Sequence, residues 1–377
     1  MSSSPVVMFE TLWADVSDGW AIAARVYARA MKMAGATVYL HSWLGILEEL
    51  APEVIEEVGE MSSPCPEGKW DFYMFSTPLA SPEIMHEPLQ MLSQARAPRT
   101  FYTMFERTSV QGAIVDQLNC LDGVMVPCMM NADGLKDAGC KNAVWIPYPY
   151  FDDDPHLKLE TPRGQARKFL WIGRWEPRKA PHMLIRAFLL AFKPGEAELT
   201  LKLGLAEWKT TLYMPPESVA QIELDYADVR RNGWTKEKIQ ESIHVIRGRL
   251  TPREMLELHQ KNDVYVSASR GEGIDLPSFH AKLAGRRVVT TDSGGPVDFL
   301  TENDVLVQTP ATIAAIDYEN LWGRGSRYRD YSIDDLVAAL QHAVSMPHKQ
   351  YVMPEQHRAE LVGQRLLNWI EGCRGRN

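Results

Sequence analysis

Hydrophobic positions along the chain fall into two alternating kinds of run. Short β-branched and aromatic segments, Val6–Glu10, Thr37–His41, Trp70–Phe75, Thr100–Phe105, Val124–Val126 and Val144–Ile146, read as strands. Stretches with helical spacing lie between them. Ala21–Met33 shows that spacing best, with Ile22, Ala23, Val26, Tyr27 and Ala30 on one apolar stripe. Arg25, Arg29 and Lys32 form a basic stripe away from it, read as a solvated face, with contact to an anionic membrane or acceptor as the alternative.

A Pro- and Asp-rich break then runs from Ile146 to Gly164. Proline continues neither a helix nor a central strand, and clustered acids prefer water, so this segment reads as a linker. Alternation resumes beyond it, with strands expected near Lys168–Ile172, Leu199–Leu203, Ile243–Ile246, Val264–Ser267, Val288–Thr291 and Val305–Val307. Thr251-Pro-Arg-Glu254 marks a helix start, combining a Thr cap, a Pro in the first helical position and a Glu three residues after the cap. Ser332 with Asp335 marks another, before a helix ending near Val344.

Such alternation on both sides of a linker implies an α/β chain of two doubly wound, mostly parallel, Rossmann-like domains. Domains of this kind bind ligands outside the carboxyl ends of their strands, so two that face each other create a cleft. The expected boundaries are 1–150 for an N-terminal domain, 151–165 for the linker and 166–350 for a C-terminal domain. In the remainder, 351–377, Val362, Leu366, Trp369, Ile370 and Cys373 share one helical face that must bury, and the first domain is its expected target.

Composition narrows the class. The 377 residues suit two domains, and 45% hydrophobic with 24% charged residues is ordinary globular composition. The net charge of −9 disfavours a nucleic-acid partner, because phosphate contacts need a basic surface. The five cysteines are odd in number and widely spaced, so they read as buried, reduced thiols, with no disulfide framework and no metal site. No stretch approaches the ~20 apolar residues of a membrane span, and the opening residues lack a secretory pattern. A soluble, cytoplasmic protein is expected.

Two segments carry candidate chemistry. In Phe169–Phe188 a strand ends at Gly173, Arg174 and Lys179 follow, and Pro181 opens a helix. Two cations at a strand's carboxyl end suit a diphosphate, Arg as a planar fork and Lys as a compact charge; an ordinary surface loop is the alternative. In Val264–Pro296 a buried strand runs into Gly271-Glu272-Gly273, and a helix begins near Pro277. Loop amides and a helix N-terminus form an anion site, while Glu272 can accept from sugar hydroxyls. The dinucleotide fingerprint fails, since Leu276 stands at its third glycine. The next strand ends in Ser293-Gly294-Gly295, a backbone-rich turn facing the same side.

Together and in this order, the two segments resemble family 4 of the glycosyltransferases, which have the GT-B fold. Gly173, Arg174 and Lys179 stand at positions of the family's first motif, with Ala180 where it ends in Gly; Glu272, Gly273, Ile274, Asp275, Leu276 and Pro277 stand at those of the second. The resemblance is weaker in the N-terminal domain, where Asp18-Gly19-Trp20 occupies the Gly-rich first loop and Tyr102–Glu106 looks like a family strand end. It implies that Arg174 and Lys179 neutralise the diphosphate of a nucleotide sugar and that Glu272 meets the sugar. Gly273, Ile274, Asp275, Leu276, His280 and Gly294 would line the donor. It also implies retention of configuration, with no metal and no cofactor beyond the donor. Fixed cations and amides suit a reaction in which charge builds on a departing diphosphate.

Two positions depart from the pattern. His280 replaces the second Glu, which in the family binds ribose, and Asp275 replaces a Gly. They are read as a shifted donor mode, with a core histidine as the alternative for His280. Acceptor-side candidates are Asp18, Gly19, Glu106 and His41; a helix cap is the alternative for Asp18, and an ion pair with Arg107 or Arg99 for Glu106. Asp152-Asp153-Asp154 is taken as solvated linker charge. Leu205–Ile239, with Trp208, Tyr213, Tyr226 and Trp234, reads as a helical insertion packed by its aromatics, an aromatic ligand platform being the alternative. The resulting expectation is a retaining hexosyltransferase acting from a nucleotide sugar on an acceptor hydroxyl. A non-catalytic nucleotide-sugar binder and a transferase acting on a modified DNA base stay open.

Overall fold

The computed structural model describes residues 4–11, 19–42, 59, 61, 69–95, 98–162, 164–204, 215–316, 325–347, 349 and 351–374. The chain divides into two compact units. One is formed by Met1–Asp152, Glu319–Ser326 and Pro354–Asn377, the other by Asp153–Tyr318 and Arg327–Met353.

The N-terminal unit holds β1 (Val6–Thr11), β2 (Thr37–Ser42), β3 (Phe72–Ser76), β4 (Arg99–Tyr102), β5 (Gly123–Val126) and β6 (Ala143–Trp145). They form one parallel sheet in the order β2-β1-β3-β4-β5-β6. The strand expected over Thr100–Phe105 stops at Tyr102, and Thr103 instead donates its hydroxyl to the Thr77 carbonyl at 2.7 Å. After β2 the chain returns to the other side of β1, so the topological switch point lies between β1 and β3.

Helix Gly19–Met33 is more deeply covered than its apolar stripe indicates: nine of its fifteen residues are buried, Arg25 among them. The reading of Arg25 as part of a solvated stripe is therefore wrong. Lys32 and Arg29 are exposed, with the Arg29 guanidinium 3.9 Å from the centre of the Phe151 ring. The extra cover comes from helix Ala359–Gly372, where Gly363 approaches so closely that a Cβ would overlap the Ala30 carbonyl. Val362, Leu366 and Ile370 are buried on that helix and Cys373 at its C-cap, whereas Trp369, expected on the same buried face, is only half-buried.

In the C-terminal unit β7 (Lys168–Gly173), β8 (Glu198–Leu203), β9 (Ile243–Ile246), β10 (Val264–Ser267), β11 (Arg287–Thr291) and β12 (Val305–Val307) form a second parallel sheet. Its order is β12-β11-β10-β7-β8-β9, with the switch point between β7 and β10. Phe169, Trp171, Phe188 and Leu201 fill the core beneath it. The Thr251–Glu254 capping box forms, with Thr251 Oγ1 accepting from the Glu254 amide at 3.2 Å and Glu254 Oε2 from the Thr251 amide at 2.7 Å. Behind the sheet Lys282 and Asp304 form a buried ion pair, 2.8 Å apart and 1% and 0% exposed. An antiparallel hairpin, β13 (Ala311–Ala314) with β14 (Arg327–Asp330), carries no alternating signal in sequence because all four residues of β13 are exposed.

Three further expectations change. The acidic run is not simply solvated: Asp152 pairs with Arg358 at 2.7 Å, and Asp154 caps a 3-10 turn over Pro155–Lys158 by accepting from the His156 amide at 2.9 Å. Asp153, between them, is exposed. Cys128, Cys140 and Cys373 are buried, but Cys120 is exposed, since it lies just past the end of helix Gly112–Leu118; Cys65 lies outside the described residues. The insertion is helical over Pro216–Glu223, Ala227–Arg231 and Lys236–Ser242. Trp234 is core, donating its indole N–H to the Leu189 and Phe192 carbonyls, whereas Tyr226 is exposed beneath the Arg186 guanidinium. Trp208 and Tyr213 lie outside the described residues.

Candidate functional site

At the C-terminal switch point the loops after β7 and β10 meet. Gly173 ends β7 where a Cβ would press on the Trp171 ring at 2.9 Å. Arg174 follows with its side chain 58% exposed, 3.7 Å from Glu176. A 3-10 turn over Pro177–Lys179 then passes through Ala180, whose φ of 45° lies in the left-handed region, into helix Pro181–Ala191. That φ explains why a glycine suits this position better than alanine.

The β10 loop is tied to this turn by Arg270. Its amide donates to the Arg178 carbonyl at 2.8 Å, and its guanidinium donates to the Pro177 carbonyl at 2.9 Å and pairs with Asp330 at 3.0 Å. Glu272 sits at the centre, 4% exposed. Lys179 Nζ lies 2.5 Å from its Oε1 and Arg178 Nη1 lies 3.2 Å from its Oε2. Arg178 also donates to the Gly271 carbonyl at 2.6 Å and to Glu176 at 2.7 Å.

These partners decide the charges. Burial pushes the Glu272 carboxyl up, but Lys179, Arg178 and hydrogen bonds from Lys179 and Ser269 outweigh it and hold the group at about 2. Asp275 moves the other way: burial and then the Glu272 charge raise it, against Lys179 and hydrogen bonds with Ser278 and Ser267. Two neighbouring carboxyls thus differ in proton affinity, one firmly ionised and one pushed toward neutrality. Asp275 opens helix Leu276–Leu283 with a left-handed φ of 59° and accepts from the Ser278 hydroxyl at 2.5 Å.

Gly294 and Gly295 close the far side. A Cβ on Gly294 would overlap the Glu272 carbonyl oxygen, and one on Gly295 would stand 2.7 Å from Ile274 Cα. Gly294 also has a φ of +89°. Gly294→Ala is therefore expected to cost about 1–3 kcal/mol and to displace Glu272 from Lys179. Urea unfolding measures this; wild-type stability would mean that the loop retreats freely.

Sequence places Arg174, Lys179, Glu272, Gly273, Ile274, Asp275 and Gly294 in this neighbourhood, and the fold sets them all on loops at the switch point. It does not reveal Arg178. The only signal is the Pro177-Arg178-Lys179 triplet, and nothing local tells which cation turns inward. His280 faces elsewhere. Its ring stacks on that of His156 at 4.7 Å and 8°, while His156 hydrogen-bonds Asp154 at 2.8 Å. His259 meets His156 edge-on at 5.4 Å, its ring buried, with neither nitrogen hydrogen-bonded among the described residues. Burial and then His156 push His280 down to about 3 against the pull of Asp154. Burial, His156, His280 and Arg286 lower His259 well below the usual range.

In the N-terminal unit Gly19 is the exposed first residue of its helix, and Asp18 lies outside the described residues. His41 Nδ1 lies 2.9 Å from Glu10 Oε1, and Glu10 also accepts from the Tyr73 hydroxyl. Glu106 is half-buried beyond β4; of its two suggested partners, Arg99 bonds Asp122 at 3.1 Å and Arg107 donates to the Leu79 and Ala80 carbonyls. Among the described residues no helix is long and apolar enough to cross a membrane, and no cluster of three or more His, Cys, Asp or Glu is arranged to hold a metal ion.

Residues 166–317 match the family model described as "Glycosyl transferases group 1". No curated protein matches the chain. Its fold is similar to that of an α,α-trehalose-phosphate synthase (UDP-forming) from Burkholderia xenovorans in complex with glucose-6-phosphate, with TM-score 0.62 and 11% identity, covering 98% of this chain and 100% of that one. Anabaena Alr3699/HepE in complex with UDP-glucose gives TM-score 0.57 and 11% identity, covering 97% and 99%. The chain spans 52% of a mutant of S. aureus TarM, which covers 80% of this chain at 15% identity and TM-score 0.49. The fold is GT-B, and residues 166–317 of its C-terminal unit are similar to the group 1 glycosyltransferase model.

Proposed function

We propose that this chain is a retaining glycosyltransferase of the family 4 kind, moving a hexose from a UDP-sugar to an acceptor hydroxyl without a metal or further cofactor. The observation that carries the reading is the Arg178–Glu272–Lys179 cluster, with Arg174 beside it, at the carboxyl ends of β7 and β10. The nucleotide is inferred from the UDP-glucose bound by Anabaena HepE.

Arg174, free to reach outward, takes the diphosphate, and Lys179 turns from Glu272 to share it. Glu272, fixed as an anion by Arg178, accepts from a sugar hydroxyl, while the amides of Gly273 and Ile274 approach the sugar and phosphate. As the bond between sugar and phosphate breaks, the electron pair stays on the diphosphate, where both cations stabilise it. Arg178 positions Glu272 and touches no substrate.

Thermal unfolding against UDP, GDP and ADP in EDTA tests the reading. UDP at about 100 times its dissociation constant should add roughly 2.7 kcal/mol of stability. Arg174→Ala should weaken UDP by about tenfold or more with no change in melting temperature, because an exposed side chain does little for the fold. No shift with any nucleotide removes the proposal. Binding of UDP-glucose without release of UDP to any acceptor, water included, leaves a binder rather than an enzyme.

A further inference from the structure

Asp275 is a residue that anion binding alone does not call for. It stands where the resembled motif has a glycine, and it is 5% exposed. Its carboxyl accepts from the Ser278 hydroxyl at 2.5 Å, with Ser267 as a further hydrogen-bond partner. Helix capping does not explain it, because the side chain accepts from no amide of helix Leu276–Leu283.

The charges in the two loops show what a further carboxyl means here. Glu176 lies 3.7 Å from Arg174 and 2.7 Å from Arg178; Glu272 lies 3.2 Å from Arg178 and 2.5 Å from Lys179. Arg270 is matched separately by Asp330. Arg174, Arg178 and Lys179 therefore exceed Glu176 and Glu272 by one positive charge among the described residues of these loops. An ionised Asp275 would cancel that charge, and a diphosphate would enter a neutral site beside a buried anion. A protonated Asp275 leaves the charge in place.

The groups that face the carboxyl sharpen this. Glu272 of its own loop opposes ionisation, and the Tyr265 phenol of β10 is buried and neutral. Lys179 of the β7 turn is the cation that favours ionisation, and it is the one that the transferase reading turns toward the diphosphate. Donor binding thus draws a cation away from Asp275 and adds negative charge, and both changes favour a proton on it.

We propose that binding of the donor diphosphate is coupled to proton uptake at Asp275, a dependence that the motif's glycine would not give. The inference rests on the donor reading given above. Affinity is full where Asp275 carries its proton in the free chain too. Above that pH each binding event takes a proton from solution. Affinity then falls by up to about tenfold per pH unit, until the bound form gives the proton up as well.

Isothermal titration of the full chain with UDP-glucose from about pH 5 to 8, in buffers of low and of high ionisation heat, tests this. UDP-glucose serves better than UDP because it lacks the terminal phosphate, which titrates in the same range. The wild type should take up as much as one proton per donor, read as a binding heat that differs between buffers, and its affinity should fall toward alkaline pH. Asp275→Asn, whose amide does not ionise and which accepts a left-handed backbone, should give equal heats and an affinity independent of pH. Asp275→Gly, the residue that this backbone favours, should do the same if the Asn variant does not fold. Binding to the wild type with equal heats at every pH overturns the proposal and keeps the donor reading. Uptake that persists undiminished in the variants also overturns it, by placing the proton on another group. No binding of UDP-glucose at any pH removes the donor reading, and the coupling with it.

Discussion

Lys282→Met is expected to destabilise the protein by about 3–5 kcal/mol, the cost of leaving a buried charge without its partner. Lys282 and Asp304 are both out of contact with water, so no solvent replaces the lost ammonium. Asp304 is fixed in place, its Oδ1 accepting from the Val288 amide at 2.8 Å and its Oδ2 from the Thr301 amide at 3.0 Å, and it cannot turn outward. The Lys282 ammonium also lies 3.8 Å from the centre of the Tyr351 ring, a further attraction lost. Adding Asp304→Asn should recover much of the loss by removing the stranded charge. Urea unfolding of the three proteins measures it; a single variant within about 1 kcal/mol of wild type would show that water reaches Asp304.

Acid is expected to unfold this chain earlier than its carboxylates alone would require. His280 is held at about 3 and His259 well below its usual value, so both stay neutral in the folded chain where an unfolded imidazole takes a proton. The sign follows: above about pH 6.5 neither state binds these protons and the full stability is present. Below it the unfolded state gains them, and stability falls by about 1.4 kcal/mol per pH unit for a ring that stays neutral when folded. From about pH 6.5 to 4.5 the His280 ring removes up to about 2.7 kcal/mol, and His259 acts in the same direction. Glu272, held at about 2, adds a loss only as pH falls through the ordinary carboxylate range. Stability measured across these values should slope downward with acid, and His280→Phe or His259→Phe should each flatten the slope. Parallel slopes in all three proteins would mean that the rings are protonated in the folded state.

The fold was legible because both sheets are built from runs whose chemistry is local. Val264–Ser267 and Val288–Thr291 announce buried strands with no help from neighbours, and Thr251 with Glu254 writes its own helix start. The candidate site was legible where backbone chemistry constrains the residue, as at Gly173 and Gly294. It was illegible where the deciding event is a long-range encounter. Arg178 becomes a clamp only because the β10 loop carries Glu272 to it from far along the chain, and His280 turns to the linker only because His156 is there to meet it. Arg25 and Asp154 failed for the same reason, since the segments that cover them lie far along the chain or fold back on themselves.

Ala180 and Asp275 are the two non-glycine residues with left-handed backbone among the described residues, and they stand at the helix starts on either side of Glu272. A conformation that glycine adopts freely is imposed here on residues that resist it, so the surrounding hydrogen bonds must hold both loops in one shape before any ligand arrives. The entropy of ordering these loops is therefore lost during folding rather than at encounter. Association should need no rearrangement of these two loops, and glycine at position 180, which removes only a methyl group, would relieve the backbone strain while leaving the Lys179–Glu272 contact in place.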